Sequence, residues 1–357
     1  MHMADALVSP AVGLSMGAIS AAAIGISAVR VNKDEFTEKK IPLMGVAGAM
    51  VFAGQMINFT IPATGSSGHI GGGILLAGLL GGVPAFLSIS AVLIIQCLFF
   101  ADGGLLALGC NIFNMGVIPC LLIYPLIFKP LTRGINNPEN NGGYKKLTAA
   151  SIIAAITGLE LGAFCVVFQT YLSGISALPF GIFASLMLPI HLAIGLVEGI
   201  VTAAILCFVY KTRPEIIAAL YEDYAANNPV ANTSRKGRLT ENKLLIALAV
   251  LTVITGAALS LLASPNPDGL EWSVEKVSDA AIAADADAVH ESAANAQAAA
   301  AFLPGYSFAA DPDNPVGTSA SGIIGAAVTF VLASASGLII TKVKKRKNPN
   351  KIMPAPH

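Results

Sequence analysis

The chain has 357 residues, of which 55% are hydrophobic and only 12% are charged, and its formal net charge is zero. Soluble domains carry about 25% charged residues, so this chain lacks the polar side chains that a water-exposed surface needs. A zero net charge offers no basic face to nucleic acid, and the apolar content excludes disorder over most of the chain. The composition therefore predicts an all-α polytopic membrane protein.

Nine apolar segments are candidates to cross about 30 Å of hydrocarbon as helices. The third is short and rich in glycine, and Pro189 lies inside the long seventh segment, where proline is expected to kink or break a helix. The predicted spans are residues 7–29, 41–62, 65–81, 84–100, 105–128, 147–172, 180–210, 244–263 and 321–341.

Lysine and arginine fall into four groups that lie between or after these spans. Nine crossings with the N-terminus outside place all four groups in the cytoplasm, as the positive-inside rule requires, whereas an even number would not. No basic n-region precedes the first apolar run, so we expect the N-terminus to be uncleaved and external. The groups are Arg30, Lys33, Lys39 and Lys40; Lys129, Arg133, Lys145 and Lys146; Lys211, Arg213, Arg235, Lys236, Arg238 and Lys243; and Lys342, Lys344, Lys345, Arg346, Lys347 and Lys351.

The pattern of spans divides the chain into two membrane regions. Residues 1–210 hold seven predicted spans, 211–243 form a polar cytoplasmic linker, and 244–357 hold two spans around an external segment at 264–320. That segment contains nine acidic residues and one basic residue. Its alanine-rich stretch 278–301 favours a helix that is solvated or contacts a partner. The acidic residues could instead concentrate cations near the membrane surface.

The first two residues carry the most specific chemistry. The α-amine, the His2 backbone nitrogen and the His2 imidazole can reach one metal ion in fused chelate rings, a donor set that suits square-planar Ni²⁺ or Cu²⁺. A fourth nitrogen would complete the plane. His69 is the candidate, because the predicted topology puts it on the same side as Met1. It lies in a Gly/Ser-rich run after Pro62, and such irregular backbone is tolerated at membrane depth only where it is buried or lines a cavity.

Three other polar residues lie near the same predicted face. Asp102 is in an external turn, where it either caps the next helix or lines an entry path. Asn111 and Asn114 are three residues apart and share a helix face. They either hydrogen-bond the His69 loop or pack between helices.

Ionisable residues inside predicted spans form a second group. His191 and Glu198 are seven residues apart on one helix face, and Glu160 lies in the preceding span. The spacing is not HExxH, which disfavours a zincin protease. These residues either pair structurally with other helices or form a proton or metal relay. No nucleotide-binding motif is present, so ATP hydrolysis, if it drives transport, must come from another subunit.

Several ordered blocks resemble the M subunits of bacterial nickel/cobalt energy-coupling-factor transporters, the CbiM/NikM family. The opening Met1-His2 with Ser9-Pro10 resembles the family's start, although Met3-Ala4 replaces Ile-Pro and Ala6 replaces Gly. Residues 267–271 resemble the PDGLE sequence of the small N component, so the chain looks like an M–N fusion. The remaining matching blocks are residues 66–72, 96–115 and 191–202.

The resemblance implies a substrate-capture subunit with no catalytic residues and no cofactor, located in a bacterial or archaeal cell membrane and in contact with lipid. Its substrate would be Ni²⁺, with Co²⁺ the next choice. The implied partners are a CbiQ/NikQ-like transmembrane coupling subunit and CbiO/NikO-like cytoplasmic ATPases. The implied ligands come from Met1, His2 and His69. Residues that could surround the ion or line its path are Ser66, Ser67, Asp102, Asn111 and Asn114, followed by His191 and Glu198.

Two other functions remain open from the residues. A self-sufficient secondary transporter would use Glu160, His191 and Glu198 as a proton path. An intramembrane hydrolase built on His191 and Glu198 would need a catalytic motif that the sequence does not contain.

Overall fold

The computed structural model describes residues 1–30, 40–135, 141–220, 240–277 and 287–347. The described part is built from helices and one small antiparallel hairpin. The helices are α1 (Pro10–Arg30), α2 (Lys40–Gln55), α3 (Gly73–Leu80), α4 (Gly82–Phe100), α5 (Leu108–Thr132), α6 (Asn141–Ser173), α7 (Phe180–Thr212), α8 (Glu241–Ala257), α9 (Gly269–Val277), α10 (Ala288–Ala300) and α11 (Pro315–Lys347), and the strands are β1 (Phe59–Ile61) and β2 (Ser66–Gly68).

Six helices of the described part are long and apolar enough to cross a membrane, namely α1, α4, α5, α6, α7 and α11. Helix α8 is apolar but shorter. Large hydrophobic side chains such as Leu14 and Ile200 are exposed on the outer faces of these helices. The chain is therefore a multi-pass helical membrane protein whose outer surface suits lipid.

The prediction of a third span at 65–81 is wrong, because residues 66–68 form β2 and helix α3 begins only at Gly73. Eight helical residues cover about 12 Å, which is less than half of the hydrocarbon thickness. Gly72 has a φ of +76° and Gly81 a φ of +90°, so backbone conformations that favour glycine bound this short helix on both sides. The predicted span 41–62 is also too long, because α2 ends at Gln55.

Prolines inside the long helices have different consequences. In α5, residues Phe113–Phe128 are wound as a π-helix that contains Pro119 and Pro125. The wider turn accommodates residues that lack a backbone donor. Helix α7 continues through Pro189, so of the two predicted outcomes, a kink or a break, the break is wrong.

The C-terminal region packs on the first. Helices α8 and α11 touch at Gly256 and Gly322, where a Cβ built on Gly322 would lie 2.0 Å from the carbonyl oxygen of Gly256. Such close backbone approach is typical of membrane helix pairs. Helix α10 begins at the cap Asp287, whose side chain accepts from the backbone of Val289 and His290. It forms part of the predicted helix 278–301, of which residues 278–286 lie outside the described residues.

The orientation of the chain stays a prediction, because it depends on charges that are only partly described. The basic residues outside the described part are Lys33, Lys39, Arg235, Lys236, Arg238 and Lys351.

Candidate metal centre at the N-terminus

The N-terminal segment is held inside the protein. Met1 and Met3 are buried. The Asn111 side chain clamps the Met3 backbone, accepting from its N–H at 2.7 Å and donating to its carbonyl at 3.2 Å. The backbone N–H of Gly104 also donates to Met3 O at 2.8 Å. This clamp positions the α-amine and His2 within the bundle.

The loop that carries His69 is fixed by Glu198 of α7. One Glu198 carboxylate oxygen accepts from Gly71 N–H at 2.7 Å and the other accepts from Gly72 N–H at 3.0 Å. Hydrogen bonds to an ionised acceptor are stronger than neutral ones. Glu198 therefore holds the backbone that follows His69, a role that sequence reasoning did not assign to it.

Met1, His2 and His69 meet at one point, as the sequence predicts. The α-amino nitrogen of Met1 lies 3.3 Å from Nε2 of His69. The rings of His2 and His69 stack with centroids 5.2 Å apart and planes inclined by 24°. His69 Nδ1 donates to the Ile70 carbonyl oxygen at 3.1 Å, because a carbonyl can only accept. The Nε2 lone pair of His69 therefore faces the amine.

A chain of two glutamines sets the tautomer of His2. It starts at the carbonyl of Gly71, which accepts from Gln55 Nε2 at 2.8 Å. Gln55 Oε1 then accepts from Gln96 Nε2 at 2.9 Å, and Gln96 Oε1 accepts from His2 Nε2 at 3.2 Å. With the proton on Nε2, the lone pair of His2 is on Nδ1, the ring nitrogen that can chelate together with the α-amine. Asp102 Oδ1 lies 3.4 Å from this Nδ1.

Asp268 of the second region completes the surroundings of the amine. Its Oδ1 caps α9 by accepting from the N–H groups of Leu270 and Glu271 at 2.8 and 2.9 Å. Glu271 Oε2 in turn accepts from Asp268 N–H at 3.2 Å, which makes a capping box. The remaining oxygen, Oδ2, pairs with the α-amine of Met1 at 2.9 Å. The Asp-Gly-Leu-Glu sequence thus caps its own helix and presents one carboxylate oxygen to the N-terminus.

The hairpin strand β2 holds this second segment in place. Ser67 N–H donates to Pro267 O at 2.8 Å, and the Ser67 hydroxyl donates to Asn266 O at 2.8 Å. Trp272 Nε1 donates to Thr64 O at 3.0 Å. Gly269 packs so closely on α7 that an added Cβ would lie 2.5 Å from Cγ2 of Ile190.

Burial and charge keep the two imidazoles neutral. Burial lowers the pKa of His69 to about 3, and the neighbouring ammonium and His2 act in the same direction. Burial also lowers the pKa of His2. Burial acts to raise the pKa of Asp268, but the N-terminal ammonium and His69 outweigh it and hold that pKa well below its usual range. The site therefore combines neutral nitrogen donors with an ionised carboxylate.

Of the two alternatives given for Asn111 and Asn114, the contacts of Asn114 match packing between helices. Asn111 binds Met3, and Asn114 exchanges hydrogen bonds with Gln169 at 2.8 and 3.0 Å, so their described contacts hold the N-terminal segment and α6 rather than the His69 loop. Ser66 hydrogen-bonds Thr64 at 2.8 Å. Asp102 accepts from the hydroxyl of Tyr306, which ties its turn to the second region.

From the sequence, no role was assigned to two residues that shape the site, Gln55 and Gln169. They are isolated polar residues within apolar runs, and that isolation is the signal that could have identified them. Gln96 was expected, like Asn111 and Asn114, either to hydrogen-bond the His69 loop or to pack between helices, and it bonds His2 and Gln55. Asp268 could be noted from the sequence only as part of the block that resembles PDGLE. Its contact with Met1 could not be predicted, because the two residues are 267 positions apart.

The arrangement suits a metal ion that prefers nitrogen. In the described part of the chain, no group of three or more His, Cys, Asp or Glu side chains is placed to hold a metal ion. The candidate donors are instead an α-amine, a backbone nitrogen and two imidazoles, which together match late first-row divalent ions. The fold and this cluster define a multi-pass membrane protein with a buried cluster of nitrogen donors at its N-terminus.

Two protein-family models match almost the whole chain. One, described as the cobalt uptake substrate-specific transmembrane region, covers residues 2–216, and the other, described as the PDGLE domain, covers residues 242–342. The chain belongs to the CbiM family of membrane metal-transport proteins and carries a PDGLE domain in the same polypeptide.

Curated relatives and solved structures agree with this assignment. LarMN of Lactiplantibacillus plantarum, named as a probable fused nickel transport protein, is 31% identical over 78% of this chain and 79% of its own length. The cobalt transport protein CbiM of Sorangium cellulosum is 31% identical over 54% of this chain and 81% of its own. A crystal structure of a transition metal transporter is 28% identical, has a TM-score of 0.51, and matches over 64% of this chain and 99% of that one.

Proposed function

We propose that the chain captures Ni²⁺, with Co²⁺ as the next candidate, at the external face of the cell membrane for ATP-driven import by an energy-coupling-factor transporter. The ATPase subunits and the transmembrane coupling subunit are separate polypeptides. The observation that carries the proposal is the 3.3 Å approach of the Met1 amine to His69 Nε2 beside the stacked His2 ring.

The proposed ligands are the Met1 amine, the His2 backbone nitrogen, Nδ1 of His2 and Nε2 of His69. Support comes from the hydrogen bonds that leave a lone pair on each of these ring nitrogens. Binding requires the amine and the backbone nitrogen to lose protons, so metal affinity should decrease as pH decreases. Nickel is preferred over cobalt because four nitrogens in a plane suit Ni²⁺ best.

In this scheme, the Met1 amine exchanges Asp268 for the metal ion during capture. The amine leaves its ion pair with Asp268, loses a proton and binds the metal, while the metal loses its water ligands to nitrogen. An N-terminus on the outside would place the site at the external face, and the coupling subunit would then open it inward. We also propose the division into residues 1–210, 211–243 and 244–357 as capture region, linker and PDGLE region.

The secondary-transporter alternative has weaker support. Both carboxylate oxygens of Glu198 are occupied by the N–H groups of Gly71 and Gly72, so Glu198 serves the loop rather than a proton path. Uptake by the chain alone that is abolished by a protonophore would favour this alternative.

The test is equilibrium binding of Ni²⁺ and Co²⁺ to the purified chain with its native N-terminus. One alanine inserted between Met1 and His2 keeps every side chain but breaks the chelate rings, so tight binding of one ion per chain should fall by about three orders of magnitude. His69→Ala should weaken binding strongly, whereas Gly181→Ala, where an added Cβ meets nothing within 4 Å, should leave it unchanged. Binding that survives the insertion would refute the ligand set.

A further inference from the structure

We infer that Nε2 of His191 is a second nitrogen donor inside the chain, a transfer position that a Ni²⁺ or Co²⁺ ion reaches after leaving the capture site. The inference rests on the proposed function. It concerns a residue that contributes none of the four proposed capture ligands.

A cavity connects the two positions. Met1, His69 and Asp268 line it on the side of the capture site, and His191 of α7 lines it together with Gly269. The other walls are largely apolar and include Ile74, Leu159 and Ile194. An ion in this space would therefore find few polar side chains apart from those at the capture site, Asn114 and the imidazole of His191.

The imidazole of His191 is held in one orientation by its own helix. Its Nδ1 donates to the carbonyl oxygen of Met187, one turn earlier, at 2.8 Å. The residue is 1% exposed, and its Nε2 has no hydrogen-bond partner among the described residues. Metal-binding histidines commonly donate their second ring nitrogen to a backbone carbonyl in this way, which fixes the lone pair of the other nitrogen.

A metal ion fits this lone pair better than a proton relay or a structural pair does. A buried acceptor without a partner is costly, so a purely structural histidine would be expected to have one. A relay needs a neighbouring group that can take the proton. The carboxylate on the same helix face is Glu198, two turns or about 10 Å along the axis, and Gly71 and Gly72 occupy both of its oxygens. The carboxylate that lines the cavity, Asp268, is likewise occupied, by the Met1 ammonium and by two N–H groups of α9.

The PDGLE region closes this cavity. A Cβ built on Gly269 would lie 3.2 Å from Cε1 of His191, so the first turn of α9 rests on the imidazole. Asp268, the preceding residue, loses its ammonium partner when the amine binds metal. Its carboxylate still lines the cavity beside the captured ion, and its negative charge lowers the cost of moving a cation through this largely apolar space towards His191.

The test compares capture with import for the same variants. Equilibrium Ni²⁺ affinity is measured on the full purified chain, and Ni²⁺ accumulation is measured in cells that produce it with its coupling and ATPase subunits. For His191→Leu we expect affinity within about 3-fold of wild type and accumulation at least 10-fold lower. The volume-conserving Met187→Leu, one turn away, should change neither quantity.

Two more variants, His191→Gln and the alanine insertion between Met1 and His2, distinguish a failure of the transfer position from a failure of the capture site. The glutamine variant retains a polar side chain but offers an amide in place of the imidazole nitrogen, so accumulation should also fall while affinity is retained. Accumulation equal to wild type in both His191 variants would overturn the inference, as would a parallel loss of affinity. Tight binding that survives the insertion would instead refute the proposed capture site, so the two failures are distinguishable.

Discussion

Replacing Glu198 by glutamine tests whether the loop that carries His69 is held by the α7 carboxylate. Glu198→Gln preserves the size of the side chain and one acceptor oxygen. It places an amide NH₂ against the N–H of Gly71 or Gly72, so one of the two bonds at 2.7 and 3.0 Å is lost.

The magnitude follows from that lost bond. A buried N–H left without an acceptor costs about 1 to 3 kcal/mol. If this cost is incurred when metal binding orders the loop, it is subtracted from the binding free energy, and each 1.4 kcal/mol lowers the affinity about tenfold. We therefore expect Glu198→Gln to weaken Ni²⁺ binding by about 10- to 100-fold.

Equilibrium competition with a chelator measures this change, and thermal unfolding of the metal-free protein checks that the variant folds. Glu160→Gln is the matched control, because Glu160 lies on the neighbouring helix α6 and its Oε1 has no partner in the described part of the chain. Its affinity should stay within about 2-fold of wild type. Unchanged affinity in folded Glu198→Gln, or an equal loss in the control, would refute the reasoning.

Three further predictions concern the same region. Burial lowers the pKa of His69 to about 3, against about 6.5 in the unfolded chain, so protonation of the unfolded chain at this residue should remove about 2 to 3 kcal/mol of the stability of the metal-free protein between pH 6.5 and pH 4.5. His69→Gln should flatten the dependence of melting temperature on pH, and equal slopes would contradict this assignment. Gly269→Ala should lower the melting temperature because its Cβ collides with α7, whereas Gly181→Ala, which meets nothing within 4 Å, should not. Asn111→Ala frees the Met3 backbone and should weaken Ni²⁺ binding about tenfold by competition titration; wild-type affinity would show that the clamp is dispensable.

The long helices could be predicted from the sequence because a membrane span needs a long apolar run, which composition reveals. The hairpin β1–β2 could not, because the glycines and serines between Phe59 and Gly68 lie in an otherwise apolar stretch that reads as part of two spans. Positive φ at Gly72 and Gly81 depends on tertiary packing. The glycine- and serine-rich run after Pro62 nevertheless indicated irregular backbone in this segment.

The candidate ligands could be predicted from the sequence where they lie on adjacent residues. The α-amine of Met1 and the backbone and ring nitrogens of His2 can form fused chelate rings, and their spacing follows from two adjacent residues. The glutamine chain joins Gln55 to Gln96 across 41 positions, and no local pattern states such a contact. Asp268 illustrates both cases, since its capping box with Glu271 follows from spacing, whereas its ion pair does not.

The ion pair between Met1 and Asp268 has a consequence for the fused gene product. It joins residues 267 positions apart in one polypeptide, so their encounter is intramolecular. Because both residues belong to one chain, the frequency of this encounter does not depend on the concentration of the protein. Two separate proteins would have to find each other by diffusion in the membrane and would depend on balanced expression. In the fused chain, every N-terminus has its own aspartate, at a fixed ratio of one to one.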